Sequence, residues 1–131
     1  MSELSELYEQ GARCHQAAYA LAQCGSAAKD AALARIADVL LAEREQILQA
    51  NAQDIAAARA AGRSASFIDR LALNEQRIEG ICAGVREVMA LADPCGRVLE
   101  EWDRGELHFV KKSVPIGVIG IIFEARPNVC V

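Results

Sequence analysis

Apolar residues recur at three- and four-residue steps from the start of the chain to about Ala92, and the period changes after Gly96. Leu4, Tyr8, Ala12, His15, Tyr19 and Ala22 form one stripe, which predicts a helix from Ser2 to Gln23. Gly25 interrupts the pattern, and the Ser26 hydroxyl can cap a second helix by accepting a backbone N–H of its first turn. That helix is predicted to reach Gln49, burying Leu33, Ile36, Leu40 and Ile47 and turning Glu43, Arg44 and Glu45 to water. Asn51, with Asp54 three residues on, resembles a capping box and predicts a short helix that runs through Ala56–Ala61 and stops at Gly62. Ser64 or Ser66 opens another short turn of helix carrying Phe67, Ile68 and Leu71. From Asn74 to Ala92 the stripe is Ile78, Ile81, Cys82, Val85, Val88 and Met89, and Asp93-Pro94 ends it, because proline disfavours helical geometry in the residue before it.

Beyond Gly96, Val98–Trp102 and Leu107–Val114 are β-prone, with Asp103–Glu106 as the turn of a two-stranded ribbon. A lone ribbon is marginal in water and calls for a partner. Lys111 and Lys112 can bind phosphate, or can keep an edge strand from sticking to other edges. Val118–Phe123 is an apolar run broken only by Gly120, too short for a helix and rich in β-branched residues. It reads as a strand buried on both faces, with Pro115 and Gly117 at its start. Such a parallel strand needs neighbours and a crossover helix. Glu124, Arg126 and Asn128 follow at its carboxyl end, where open parallel sheets bind ligands.

Composition narrows the choice of function. With 131 residues the chain can form one domain with a modest core, although much of its 53% apolar content is alanine. A net charge of −4 and a pI near 5.2 exclude the basic face of a nucleic-acid binder. No run reaches the ~18 apolar residues of a membrane span, and no basic leader precedes an apolar stretch, so a cytoplasmic location is expected. The five cysteines (Cys14, Cys24, Cys82, Cys95, Cys130) have no paired Cys-x-x-Cys spacing, which implies neither a zinc site nor a disulfide framework. His15 has no second ligand-type residue at helical spacing and is read as a packed or half-exposed side chain, so no metal is expected. Gly117-x-x-Gly120 is not a Gly-x-Gly-x-x-Gly fingerprint, and close packing at Gly120 explains it as well.

The string Gly117-Val-Ile-Gly-Ile-Ile-Phe-Glu-Ala-Arg-Pro-Asn-Val129 resembles the signature of the gamma-glutamyl phosphate reductase family (glutamate-5-semialdehyde dehydrogenase), a branch of the aldehyde dehydrogenase superfamily. Asn51–Asp54, Asp69–Leu73 and Ala92–Gly96 extend the likeness upstream, although the family's protein is much longer. The resemblance implies an α/β fold: a helical N-terminal part of the cofactor-binding domain (1–95), a β-ribbon for oligomerisation (96–114), and the first strand and turn of a Rossmann-like parallel sheet (115–131), left incomplete. It further implies NADPH as cofactor, gamma-glutamyl phosphate as substrate, proline biosynthesis as the setting, and homo-oligomers joined through the 98–114 ribbon.

For individual residues the resemblance implies an oxyanion role for Asn128, whose amide N–H donates to developing charge without titrating. The competing reading is that Asn128 caps a following helix. Arg126 would meet an anionic substrate through paired hydrogen bonds, and Phe123, Glu124 and Ala125 would border the nicotinamide pocket. Alternatively, Glu124 and Arg126 pair with each other or with a neighbouring loop. The family's nucleophilic cysteine lies far downstream of these residues, and Cys130 stands where the family more usually has threonine. Asp69 and Arg70, adjacent in sequence, are read as tethers to other elements. The chain alone is therefore expected to be inactive. A standalone helical interaction module or decayed enzyme is the alternative from another class. A coenzyme A-linked aldehyde dehydrogenase, which usually carries a Pro-Trp-Asn turn, is a third.

Overall fold

A computed structural model describes residues 3–131, so the expected helix start at Ser2 lies outside the described residues. Five helices are followed by one antiparallel ribbon: α1 (Glu3–Ala22), α2 (Ser26–Ala42), α3 (Arg44–Ala60), α4 (Ala65–Leu71), α5 (Glu75–Met89), β1 (Val98–Arg104) and β2 (Leu107–Lys112). The chain falls into two compact units, one of residues up to Lys29 with Ala92–Gly120, the other of Asp30–Leu91 with Ile121–Val131.

In the first unit, α1 keeps its apolar stripe exposed, with Leu4, Leu7, Tyr8 and Tyr19 all open to solvent. His15 is exposed and meets Tyr19 edge to face at 5.1 Å between ring centroids. Among the described residues no three or more His, Cys, Asp or Glu side chains come together as metal ligands. The ribbon forms with Trp102 opposite Phe109 and Asp103 opposite His108, and a bulge falls between Val98 and Glu100. Its turn is tighter than expected. Only Gly105 and Glu106 lie outside the strands, and Gly105 takes φ +63°, the left-handed value that a two-residue hairpin turn asks of its first position. Trp102 stacks on Phe109 at 5.4 Å with the rings nearly parallel, and Lys111 pairs with Glu100 across the strands at 3.3 Å. Ser113 closes the base of the ribbon by accepting from the Arg97 N–H and donating to the Pro94 carbonyl. Lys29, in the first turn of α2, reaches Asp93 at 2.7 Å, and the Asp93 carboxylate also accepts from the Ser26 hydroxyl and the Cys95 N–H.

The second unit holds the core. Ala37 of α2 and Ile78, Cys82 and Val85 of α5 are buried, with Leu33, Leu40, Leu41, Ile47 and Leu48 packed against them. Cys82 thus belongs to the stripe on which it was predicted. Ile36, expected in that face, is instead exposed. Two helix signals read from sequence, the Ser64 cap and the Gly62 stop, are met in the expected way, and Asn74, read as the first residue of its helix, turns out to cap it. Ser64 Oγ accepts from the Phe67 N–H, Asn74 Oδ1 accepts from the Arg77 N–H, and Gly62 at φ +68° lets the Arg63 N–H return to the Ala58 carbonyl beyond the end of α3.

Two expectations are corrected. The second predicted helix does not run to Gln49; it ends at Ala42, and α3 starts at Arg44, seven residues before Asn51. Asn51 is therefore no cap but a buried mid-helix residue. Tertiary partners decide this, because its amide serves the α4–α5 connection rather than its own helix. The strand expected at Val118–Phe123 is not formed: the segment has no ladder partner among the described residues, and Ile119, Ile121 and Ile122 are exposed. A parallel strand exists only through its neighbours, so β-propensity alone leaves it extended and unpaired.

Candidate functional site

The polar turn sits in the second unit. Ala125 adopts φ +51°, the left-handed region that side chains with a Cβ avoid at a cost of about 1–2 kcal/mol. Arg126 next to it has φ −136° and ψ 80°, outside the helical region that proline disfavours in the residue before it. Pro127–Cys130 then form one 3-10 turn. This reversal sends alternate residues in different directions. The Glu124 carboxylate lies 3.9 Å from the Arg63 guanidinium, which itself rests 4.9 Å from the centre of the Phe67 ring. Glu124 thus pairs with the loop after α3 and not with Arg126.

Two concavities flank the turn. The larger, about 730 Å³, is lined by Arg126, Pro127 and Asn128 on one side and by the α4–α5 connection with Asp69, Arg70 and Arg77 on the other. Ile81, Val85 and Val88 of α5 supply apolar wall. The smaller, about 360 Å³, brings Phe123, Ala125 and Arg126 to Asn51, Asp54 and Leu73. Arg126 and Pro127 border both. The expected site residues are thereby divided: Asn128 lines one groove, Phe123 and Ala125 the other, and Glu124 neither. Asn128 lies second in the 3-10 turn, and the cap position belongs to Arg126, which makes no side-chain capping bond. None of the cysteines lines either groove.

Sequence reading took Asp69 and Arg70 together as tethers, and only Asp69 is one. Arg77 Nη2 meets the Asp69 carboxylate at 2.9 Å, while its Nη1 donates to the Asp69 and Ala72 carbonyls at 2.5 and 2.6 Å. Arg70 has no ion pair or hydrogen bond through its side chain among the described residues. No sequence signal joins Arg70 and Arg77 to Arg126, because the groove is made by tertiary folding.

The fit to a nicotinamide cofactor is partial. Phe123 and Ala125 offer an apolar wall against which a flat ring can rest. A Cβ at Gly117 or Gly120 would meet nothing within 4 Å, so the close packing expected at Gly120 is not formed among the described residues.

No protein-family model matches the chain. Curated proteins do. Gamma-glutamyl phosphate reductase of Escherichia coli O7:K1 is 51% identical over 127 residues, and that of Escherichia fergusonii is 50% identical over the same length. Each alignment takes in 95% of this chain and 30% of the relative, so the chain spans about 30% of the length of the curated relatives it matches. The crystal structure of gamma-glutamyl phosphate reductase from Thermotoga maritima superposes with a TM-score of 0.92 at 40% identity, covering 95% of this chain and 30% of that one. The Saccharomyces cerevisiae enzyme superposes at 0.87 with 29% identity, covering 99% and 33%. In sequence and in fold, the chain is homologous to the N-terminal part of gamma-glutamyl phosphate reductases.

Proposed function

We propose that this chain is the N-terminal part of a cytoplasmic, NADPH-dependent reductase that converts gamma-glutamyl phosphate to glutamate-5-semialdehyde and phosphate in proline biosynthesis. The observation that carries this reading is Asn128 beside Arg126 in one groove, an untitratable donor next to a guanidinium, in a chain half identical to relatives named for that reaction. Residues 1–95 belong in this reading to the helical part of the cofactor domain, 96–114 to the ribbon through which copies associate, and 115–131 to the start of the dinucleotide-binding sheet. NADPH, when bound, supplies the hydride. What these residues contribute is narrower. Arg126 holds an anionic group of the substrate, and Asn128 donates to the oxygen that gains charge as a thiolate attacks the acyl carbon. Phe123 and Ala125 border the cofactor's ring through the turn, while Glu124, expected beside them, is paired with Arg63 instead.

The chain alone is inactive in this reading, since no cysteine lines the groove that holds Asn128. The purified chain, given glutamate-5-semialdehyde, phosphate and NADP⁺, should form no NADPH above background. Appearance of NADPH would refute the division of labour. A self-sufficient interaction module is disfavoured by the small buried apolar core of the described residues and by a fully exposed Ile122.

A further inference from the structure

The geometry points to Arg63 as a positioning residue: through Glu124 and Phe67 it holds the left-handed reversal at Ala125, and so sets where Arg126 and Asn128 stand. The inference deepens the proposed function by naming a residue that supports its turn from outside both grooves. Arg63 is the one residue between two helix ends whose backbone is already fixed. α3 closes before it, with the Gly62 N–H on the Arg59 carbonyl and the Arg63 N–H on the Ala58 carbonyl, the paired bonds of a glycine-terminated helix. α4 opens after it, with Ser64 Oγ accepting the Phe67 N–H. Phe67 is thereby held one turn on, and the Arg63 guanidinium rests 4.9 Å from its ring centre, where the negative face of the ring attracts the charge. From that seat it meets the Glu124 carboxylate at 3.9 Å, within the same compact unit.

Glu124 immediately precedes Ala125, the only non-glycine residue with positive φ among the described residues. An alanine left to itself returns to negative φ, because its Cβ crowds the backbone in the left-handed region. That return would turn Glu124 and Arg126 relative to each other, so the tie at Glu124 opposes it. Each part of the tie is weak, since Arg63 and Glu124 are both more than half exposed and water screens them. The ion pair and the cation–π contact together are of the same order as the cost of the left-handed alanine. The turn is therefore near balance, and its occupancy answers to Arg63. Beyond Ala125 the Val129 N–H returns to the Arg126 carbonyl, so a change at Ala125 moves Arg126, Pro127 and Asn128 as one piece.

The test uses the intact protein with isotope-labelled alanine methyl groups, in which the Ala125 methyl is the resonance that Ala125→Gly removes. Arg63→Gln should displace that resonance. Glu124→Gln should displace it alike, and the double variant should move it no further than either single one, as partners in one interaction do. Arg63→Lys should restore part of the wild-type position, because an ammonium keeps the charge that both Glu124 and Phe67 meet. The kinetic arm rests on the proposed function. At an unchanged melting temperature, Arg63→Gln should lower kcat/KM for gamma-glutamyl phosphate about three- to tenfold, the factor expected from one exposed ion pair and one cation–π contact. In an Ala125→Gly background, where glycine takes the left-handed region without strain, the same substitution should change it less than about twofold. An ion pair that served only the fold would cost the same in both backgrounds. The inference is overturned if Arg63→Gln leaves the Ala125 methyl in place, or if the kinetic loss is equal with alanine and with glycine at position 125. Were the intact wild-type protein to show no reductase activity, the proposed function would fail, and the methyl resonance would still decide whether Arg63 holds the turn.

Discussion

Asn51 Oδ1 accepts the Leu73 backbone N–H at 2.7 Å, while its Nδ2 donates to the Leu71 carbonyl at 2.9 Å. One buried amide thus satisfies the chain on both sides of Ala72, where α4 ends and no helical partner remains for those groups. Leu73 lines both grooves, so the clamp fixes a wall that they share. Asn51→Ala should strand a donor and an acceptor and cost about 2–4 kcal/mol in urea unfolding. A loss below about 0.5 kcal/mol, the ordinary scatter of surface changes, would show that water replaces the amide.

Lys29 and Asp93 make stability depend on pH in a defined direction. The Asp93 carboxyl is held below its ordinary value of 3.8, first by the Lys29 hydrogen bond and then by the Cys95 N–H. A carboxylate depressed on folding contributes stability that is present above its unfolded value and lost as the pH falls through the folded one. The loss should therefore begin below about pH 4. Lys29 is raised, mainly by the same hydrogen bond, so its share persists through neutral pH and fades only in strong alkali, above its ordinary 10.5. Thermal melts of wild type and Asp93→Asn should differ at pH 7 and converge toward pH 2. An equal gap at both values would mean that the carboxylate's charge contributes nothing.

How much of this was legible in the sequence depends on the distance over which each feature is decided. α5 was readable because its stripe is local, and Ile78, Cys82 and Val85 are indeed buried, although the helix ends at Met89 rather than at the Ala92 expected from Pro94. The ribbon was readable for the same reason, and Gly105 fixes a turn that the sequence left four residues wide. Asn51 was misread because an asparagine followed by Asp54 looks like a helix start, and only Leu71 and Leu73 reveal its task. The break at Glu43 carries no glycine or proline to announce it. Val118–Phe123 has the composition of a strand, but ladder partners are a property of the assembled sheet. The divided site follows from one backbone value, φ +51° at Ala125, for which alanine gives no signal.

The ribbon carries a prediction about assembly. Trp102 and Phe109 stack face to face on paired strands yet stay 45% and 36% exposed, which leaves aromatic area available to another copy. If copies associate through the ribbon as proposed, Trp102→Ala should shift the chain toward monomer in light scattering and remove its tryptophan signal. Gly105→Val should act in the same direction, by forcing a β-branched residue into the left-handed turn. If both variants keep the wild-type mass, the ribbon is not where copies meet.

The sharpest test of the turn is at Asn128. If the proposed function holds and this amide stabilises an oxyanion, Asn128→Ala in the intact protein should lower kcat about a hundred- to a thousandfold, the loss typical of one such donor, with KM nearly unchanged. Asn128→Asp should be at least as damaging at neutral pH, because a carboxylate repels the charge that the amide would have met. A helix-capping role predicts the reverse ranking, since aspartate and serine cap as well as asparagine does. Steady-state rates for Ala, Asp and Ser variants of equal melting temperature therefore separate the roles. Retention of wild-type kcat by Asn128→Asp would assign the side chain to structure and move the search for the oxyanion donor to a backbone N–H.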